Sequence, residues 1–152
     1  DQNWQRSNLF TLGLSFLYPL DWSEPSLFFR EDGAVAVSMA APDNATTLLG
    51  IVVYEGRAFD EVLAETRQRA GELQGVTMSD TQNLTDLPYT PVGFEYNFML
   101  NGQNITGIRL VYNVPQNNRV YIVNLTVPME QYNFGIEVLS QFANSVTFFM
   151  PE

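Results

Sequence analysis

The side chains that could do chemistry are few in kind, because the 152-residue chain contains no histidine, no cysteine and no lysine. General acid–base catalysis uses histidine most often, and covalent catalysis needs an activated serine, cysteine, threonine or lysine beside a base. A pair of carboxylates can hydrolyse a glycosidic bond without these residues. The composition therefore argues against an enzyme, and a carboxylate-only hydrolase is the catalytic alternative.

A first group of carboxylates surrounds the start of a predicted helix. Glu55, Asp60 and Glu61 could supply oxygen ligands to a divalent cation such as Ca²⁺. The competing interpretation is structural, because Asp60 and Glu61 stand where the helix dipole favours acids, and Glu65 can pair with Arg69 one turn later. Both interpretations stay open on the sequence alone, and the structural one is favoured.

A second group of carboxylates lies farther along the chain. Asp80, Asn83 and Asp86 offer oxygen donors at three-residue spacing, but they lack the glycine-kinked spacing of a calcium loop. For hydrolysis, Glu95 could pair with Asp80, Asp86 or Glu55 across a sheet. Such a pair must stand about 5 to 10 Å apart, and the sequence sets no distance between them.

Aromatic residues and arginines suggest contact with another protein, because tyrosine, tryptophan and arginine are enriched at interfaces and their hot spots. We predict that a ligand or partner is contacted by Tyr18, Trp22, Tyr89, Arg109, Tyr112, Arg119 and Tyr121. Core packing is the competing interpretation for Tyr18 and Trp22, which flank a proline at a strand end. Strand positions alternate, so some of the other tyrosines must also point into the core.

Charge limits the partners further. Seventeen acids oppose seven arginines, a formal charge of −10. Nucleic acid is excluded as a partner, since phosphate-binding surfaces need clustered positive charge. An anionic membrane surface is disfavoured for the same reason, whereas cations and basic protein patches are allowed. No apolar run is long enough to span a bilayer, and no cofactor is predicted.

Periodicity predicts mostly strands, interrupted by two helices. Residues 9–18 alternate and stop at Pro19, which indicates one strand. The helices are expected at 58–73 and 130–143, where apolar residues recur at three- and four-residue spacing. Asp32-Gly33 and Asn101-Gly102 are hairpin signals. The remaining strands are expected at 27–30, 34–40, 48–54, 77–87, 92–100, 103–113, 119–127 and 146–149.

Eight or nine strands with little strand–helix–strand alternation indicate an α+β fold with a mostly antiparallel sheet. No repeat and no linker divides the chain, so we expect one domain over residues 1–152, with 1–8 as an N-terminal extension. The chain begins at Asp1 without a methionine, which suggests a processed or trimmed piece whose targeting segment, membrane anchor or neighbouring domain would lie upstream.

Several segments resemble the PsbP-like family. The start Phe16-Leu17-Tyr18-Pro19-Leu20-Asp21-Trp22 is similar to that family's opening strand with its Tyr-Pro and following Trp. Further similar segments follow in the family's order, at 53–54, 58–61, 101–102, 119–123 and 144–148. The family includes bacterial lipoprotein-type domains, photosystem II accessory proteins and a eukaryotic Ran-binding relative. The matching segments are structural, and none belongs to a catalytic or metal site.

The resemblance implies an α/β/α sandwich with a central antiparallel sheet, two main helices and no catalytic centre. It also implies a non-enzymatic binding or accessory domain of an extracytoplasmic bacterial protein, whose partner is another protein or a larger assembly. The alternative is a domain that binds a small ligand or divalent cation in a carboxylate-lined pocket.

Overall fold

The structure is a computed structural model that describes residues 2–42 and 44–151. The helices are α1 (Phe59–Gly71) and α2 (Tyr132–Ser145), and short 3-10 turns lie at Pro115–Asn117 and Met129–Gln131. The strands are β1 (Trp4–Leu9), β2 (Leu14–Pro19), β3 (Ser26–Phe29), β4 (Val35–Ala41), β5 (Asn44–Glu55), β6 (Thr77–Met78), β7 (Gln82–Asn83), β8 (Val92–Leu100), β9 (Gln103–Val114), β10 (Arg119–Pro128) and β11 (Thr147–Phe148).

The strands form two sheets in which the described pairings are all antiparallel. The large sheet has the order β3-β4-β5-β10-β9-β8-β6, and β7 also pairs with β8. The small sheet has the order β1-β2-β11. The long strands β5, β10 and β9 occupy the middle of the large sheet, where both faces can be covered.

The alternation of β10 divides the core between the two faces of the large sheet. Val120 and Ile122 point to one face, where they share an apolar cluster with Val62 of α1. Val123 and Leu125 point to the other face and belong to a larger cluster with Phe142 of α2. The large sheet therefore lies between the two helices, which confirms the predicted α+β sandwich.

The small sheet packs on the α2 side. Leu14 and Phe16 of β2 are fully buried, and the rings of Phe16 and Phe142 lie 4.9 Å apart between centroids. The hydroxyl of Ser145, at the end of α2, accepts a 2.8 Å hydrogen bond from the backbone N–H of Leu17. The small sheet and α2 thus cover the same face of the large sheet.

Most element predictions are confirmed to within two or three residues, but residues 9–18 are not one strand. Leu9 ends β1, and the N–H groups of Leu12 and Gly13 both donate to its carbonyl at 3.0 Å. Gly13 has φ +74°, a left-handed conformation that favours glycine and reverses the chain into β2. Residues 4–8, expected in an N-terminal extension, pair with β2.

The predicted strand at 77–87 is also wrong. Only the two-residue strands β6 and β7 form there, and both pair with β8. The rest of this polar segment is a loop beside the sheet edge.

Candidate functional site

The seven residues predicted to contact a partner do not form one surface. Tyr18, Trp22, Tyr112 and Tyr121 are buried, with at most 5% of each side chain exposed. The alternation of the strands points Tyr18, Tyr112 and Tyr121 into the main core, and Trp22 packs near Phe134. The prediction that these four residues lie on a contact surface is therefore wrong.

The other three predicted contact residues are engaged at separate places. The Tyr89 hydroxyl accepts a 3.1 Å hydrogen bond from the N–H of Phe148. The side chain of Arg109 lies on the face of the large sheet that α1 covers. The side chains of Arg119 and Tyr121 lie on the opposite face, because side chains alternate between the two faces along a strand. These three residues do not assemble into one patch.

Arg109 ties helix α1 to the large sheet. Its Nη1 donates to the backbone carbonyl and the hydroxyl of Thr66, at 2.8 and 2.9 Å. Its Nε donates to Asn124 Oδ1 at 3.2 Å, and its guanidinium lies 4.9 Å from the centroid of the Tyr96 ring. A cation held against an aromatic face and a helix carbonyl is stabilised structurally, which accounts for its position without a partner.

The alternative interpretation of Glu55, Asp60 and Glu61 as a cation site competes with ion pairs to arginine. Arg119 donates to Glu55 at 2.9 Å, and Arg57 binds both Glu61 and Glu65. These arginines neutralise Glu55 and Glu61, two of the three carboxylates that would have to ligate the ion. Across residues 2–42 and 44–151, no three acidic side chains are grouped so as to hold a metal.

Of the predicted hydrolytic pairs, that of Glu95 with Glu55 fails on distance. Glu55 lies on β5 and Glu95 on β8, and β10 and β9 stand between them. Three strand spacings are about 14 Å, which exceeds the reach of a carboxylate pair. Asp80 and Glu95 do line the same cavity, whereas Asp86 does not.

That cavity, called here the α2 cavity, has a volume of about 240 Å³ and lies between α2 and the edge of the large sheet at β8 and β9. Its apolar lining consists mainly of Leu84, Leu87, Ile108, Leu110, Leu139 and Ala143. Its polar lining consists of Ser79, Asp80, Gln82, Glu95 and Ser140, which are exposed or half-buried. An apolar interior with a few polar groups is the usual chemistry of a small-molecule site.

The outer wall of the α2 cavity is held by hydrogen bonds to β8. The N–H of Ser79 donates to the Glu95 carbonyl, and the N–H of Glu95 donates to the Ser79 hydroxyl, both at 2.9 Å. The N–H of Leu84 donates to the Pro91 carbonyl at 2.9 Å. A β-carbon at Gly93 would lie 2.8 Å from Leu84 Cδ1, so the glycine makes room for Leu84 in the wall.

The α2 cavity is acidic. No arginine lines it, and neither Asp80 nor Glu95 forms an ion pair with any residue that the structure describes. Burial and the neighbouring carboxylate of Glu95 raise the pKa of Tyr132 to about 12. Arg67 donates to the Ser79 carbonyl at 3.1 Å without pairing with either acid.

A second candidate site is the outer edge of β3, called here the β3 edge, which consists of Leu27, Phe28 and Phe29. Their side chains are 43%, 56% and 84% exposed. β3 ends the large sheet, and within the described ranges its outer side carries no strand. Large apolar side chains on an open strand edge mark a place where another chain can pair.

Sequence reasoning missed the β3 edge and the apolar lining of the α2 cavity, of which it named only Asp80 and Glu95, although each left a signal. Three consecutive apolar residues in a short strand cannot all face one core, and Leu27, Phe28 and Phe29 form such a run. Leu84 and Leu87 are the corresponding signal for the cavity, because they are apolar residues in a polar loop.

Two helices on opposite faces of a central antiparallel sheet define the class of this protein, which has the PsbP-like fold. Among solved structures, the cyanobacterial PsbP (CyanoP) of Synechocystis sp. PCC 6803 matches with a TM-score of 0.63 at 11% identity, covering 98% of this chain and 94% of that one. LpqN of Mycobacterium tuberculosis, described as involved in cell envelope biogenesis, matches with a TM-score of 0.59 at 14% identity, covering 97% and 91%.

A protein of Bacteroides thetaiotaomicron VPI-5482 also matches, with a TM-score of 0.59 at 15% identity, covering 94% of this chain and 47% of that one. No protein-family model matches the sequence, and no curated protein is significantly similar to it. At these identities the likeness shows the fold alone. No helix in the described part of the chain is long and apolar enough to cross a membrane.

Proposed function

We propose that this protein is a non-enzymatic accessory domain that binds an extended segment of a partner protein at the β3 edge. The observation that carries the proposal is the exposure of three large apolar side chains on a strand that ends its sheet. Addition of a partner strand to such an edge is a common mode of peptide recognition, in which backbone hydrogen bonds give affinity and side-chain pockets give specificity.

The register of β3 shows which backbone groups are available. The N–H of Arg30 donates to the Ala34 carbonyl of the adjoining strand at 2.9 Å. In an antiparallel ladder the residues that bond inward alternate with those that bond outward, so Phe28 bonds toward β4 while Leu27 and Phe29 direct their N–H and C=O groups outward. Two residues can therefore exchange hydrogen bonds with an added strand.

The side chains of the β3 edge offer an apolar surface on both faces of that added strand. Leu27 and Phe29 line a surface depression with Val35 and Val53 on the α2 side, and Phe28 lines another on the α1 side. Because the protein carries a net charge of −10, a second copy would be repelled, whereas an extended segment of another protein with alternating apolar residues would fit the two depressions. The occupant we propose is such a segment.

An extracytoplasmic location is part of the proposal. LpqN, which shares the fold, is described as involved in cell envelope biogenesis. The absence of cysteine is compatible with this location, because a domain of this size needs no disulfide to fold.

The test uses a phage-displayed library of random dodecapeptides, selected against the protein. We expect enriched peptides to alternate apolar residues. Phe29→Lys should weaken the binding of an enriched peptide at least about tenfold, as expected at an interface hot spot. Leu20→Lys is the matched control, since Leu20 is 53% exposed away from this edge, and it should leave binding within about twofold.

Leu27→Pro, compared with Leu27→Ala, separates backbone pairing from apolar contact, because both variants lose the leucine side chain that lines the depression and only proline also removes the N–H. Proline removes the outward N–H of Leu27 and leaves the inward bonds of β3 in place, so peptide binding should fall while β4 amide resonances stay unchanged. Enrichment that survives both Phe29→Lys and Leu27→Pro, or no enrichment above background, would show that the β3 edge is not the binding surface.

A further inference from the structure

We propose that the α2 cavity is a second site, which binds a small organic cation with an apolar body, such as a primary alkylammonium. This proposal is independent of the β3 edge, which ends the opposite side of the large sheet. It specifies a ligand chemistry for a cavity that a partner strand at β3 would not touch.

The size of the cavity limits how much of a ligand it can cover. A volume of about 240 Å³ holds about eight groups that each occupy about 30 Å³, the share of a water molecule in the liquid. A six-carbon amine has seven non-hydrogen atoms and fits this limit. The buried Leu110 and Leu139 would contact the carbon chain, and burial of its methylene groups would favour binding.

The charge around the cavity sets the charge of the ligand. Asp80 and Glu95 both line it, and neither is neutralised by an arginine within the described ranges. An ammonium group near these carboxylates would gain charge-assisted hydrogen bonds, which are about twice as strong as neutral ones. A carboxylate of the same length would be repelled, so the cavity should discriminate by charge sign.

The cavity is formed before any ligand arrives. Its loop wall is joined to β8 through the reciprocal hydrogen bonds of Ser79 and Glu95, and its inner wall is the core face of α2. A wall held in this way does not have to be ordered on binding, so less free energy is lost in association.

The experiment titrates the folded protein with hexylammonium, hexanol and hexanoate while methyl resonances of Leu84, Leu110 and Leu139 are recorded by NMR. We expect saturable shifts at these methyl groups with hexylammonium, weaker binding of hexanol, and no binding of hexanoate. Equal binding of hexanoate, or no saturable shift with hexylammonium, would overturn the proposal.

Two kinds of variant locate the binding. Glu95→Gln should weaken hexylammonium binding about tenfold, the loss of one charge-assisted hydrogen bond, and should change hexanol binding little. Asp80→Asn removes the charge of the second carboxylate of the cavity. Because Asp80 is exposed, this substitution should not disturb folding. Gly93→Ala places a methyl group against Leu84 and should weaken both ligands.

Glu137→Gln is the matched control, because Glu137 is an exposed acid of α2 outside the cavity lining. It changes the net charge by the same amount and should leave hexylammonium binding within about twofold. If Glu137→Gln weakens binding as much as Glu95→Gln and Asp80→Asn do, the amine is attracted only by the overall charge, and the proposed site is wrong.

Discussion

Two buried tyrosines that face each other across β9 and β10 should respond oppositely to loss of their hydroxyl groups. Tyr112 and Tyr121 are cross-strand partners, and both are 0% exposed. The Tyr121 hydroxyl donates to the Leu12 carbonyl at 2.6 Å and accepts from Asn117 Nδ2 at 2.8 Å. The Tyr112 hydroxyl has no hydrogen-bond partner among the residues that the structure describes. Tyr121→Phe should therefore destabilise the fold, and Tyr112→Phe should not.

The expected magnitudes follow from these partners. A buried polar group left without a partner costs about 1–3 kcal/mol. Tyr121→Phe removes the hydrogen bond to the Leu12 carbonyl, whereas Asn117 Nδ2 still donates to the Phe149 carbonyl at 3.1 Å. We therefore expect the free energy of unfolding to fall by about 2 kcal/mol. Burial raises the pKa of Tyr112 far above its ordinary value. Removing this unpaired hydroxyl should stabilise the fold by up to about 1 kcal/mol.

The assay is equilibrium unfolding in urea, followed by the fluorescence of Trp4 and Trp22. With a slope of about 2 kcal/mol per molar urea, Tyr121→Phe should lower the unfolding midpoint by about 1 M. The midpoint of Tyr112→Phe should stay unchanged or rise. The slopes should match the wild type, because neither variant changes the surface exposed on unfolding.

Equal destabilisation by the two variants would refute the reasoning. It would mean that the loss reflects the oxygen atom's packing volume, which is the same at both positions, and not its hydrogen bonds.

Two further predictions concern a turn and an ion pair. Gly13→Ala should lower the free energy of unfolding by more than about 3 kcal/mol, because φ is +74° and the new β-carbon would lie 2.5 Å from the Phe149 carbonyl oxygen. Gly33→Ala is the control, because φ is +86° there and the new β-carbon would meet no other atom. It should cost only about 1–2 kcal/mol in the same urea assay. The hydrogen bond from Arg57 lowers the pKa of Glu65. The ionised carboxylate therefore stabilises the fold fully at pH values above its ordinary pKa near 4.3. This contribution is lost as the pH falls through the lowered pKa. Glu65→Gln should thus cost up to about 1 kcal/mol at pH 7 and progressively less below about pH 4, and a constant difference from wild type across pH would contradict this account.

Local signals in the sequence predicted much of the fold. Asn101-Gly102 and the flanking alternation placed β8 at 92–100, which is where the structure has it. The three- and four-residue spacing of apolar residues placed α1 to within two residues at its C-terminal end. These signals act between neighbours in the chain, so they can be recognised without knowledge of the tertiary structure.

Signals that depend on distant contacts were misread. Residues 9–18 keep one alternating pattern through the reversal at Gly13, and the turn is stabilised by the C-terminal segment, whose Phe149 N–H donates to the Gly13 carbonyl at 2.9 Å. The acids at the start of α1 could be interpreted as cation ligands from the sequence alone. In the structure, Arg119 of β10 donates a hydrogen bond to Glu55, one of these acids. Both of these contacts join residues more than 60 positions apart in the sequence, whereas the pairing of Arg57 with Glu61 is local.

The sequence by itself determined that histidine, cysteine and lysine chemistry is absent, that the chain is strongly acidic, and that strands dominate with two amphipathic helices. Only the tertiary structure decided which faces and edges are covered. The alternation of residues along a strand predicts that neighbouring side chains point to opposite faces of the sheet. It does not predict which element packs on each face. For that reason Tyr112 and Tyr121 proved to be core residues, while Leu27, Phe28 and Phe29 lie on an open edge.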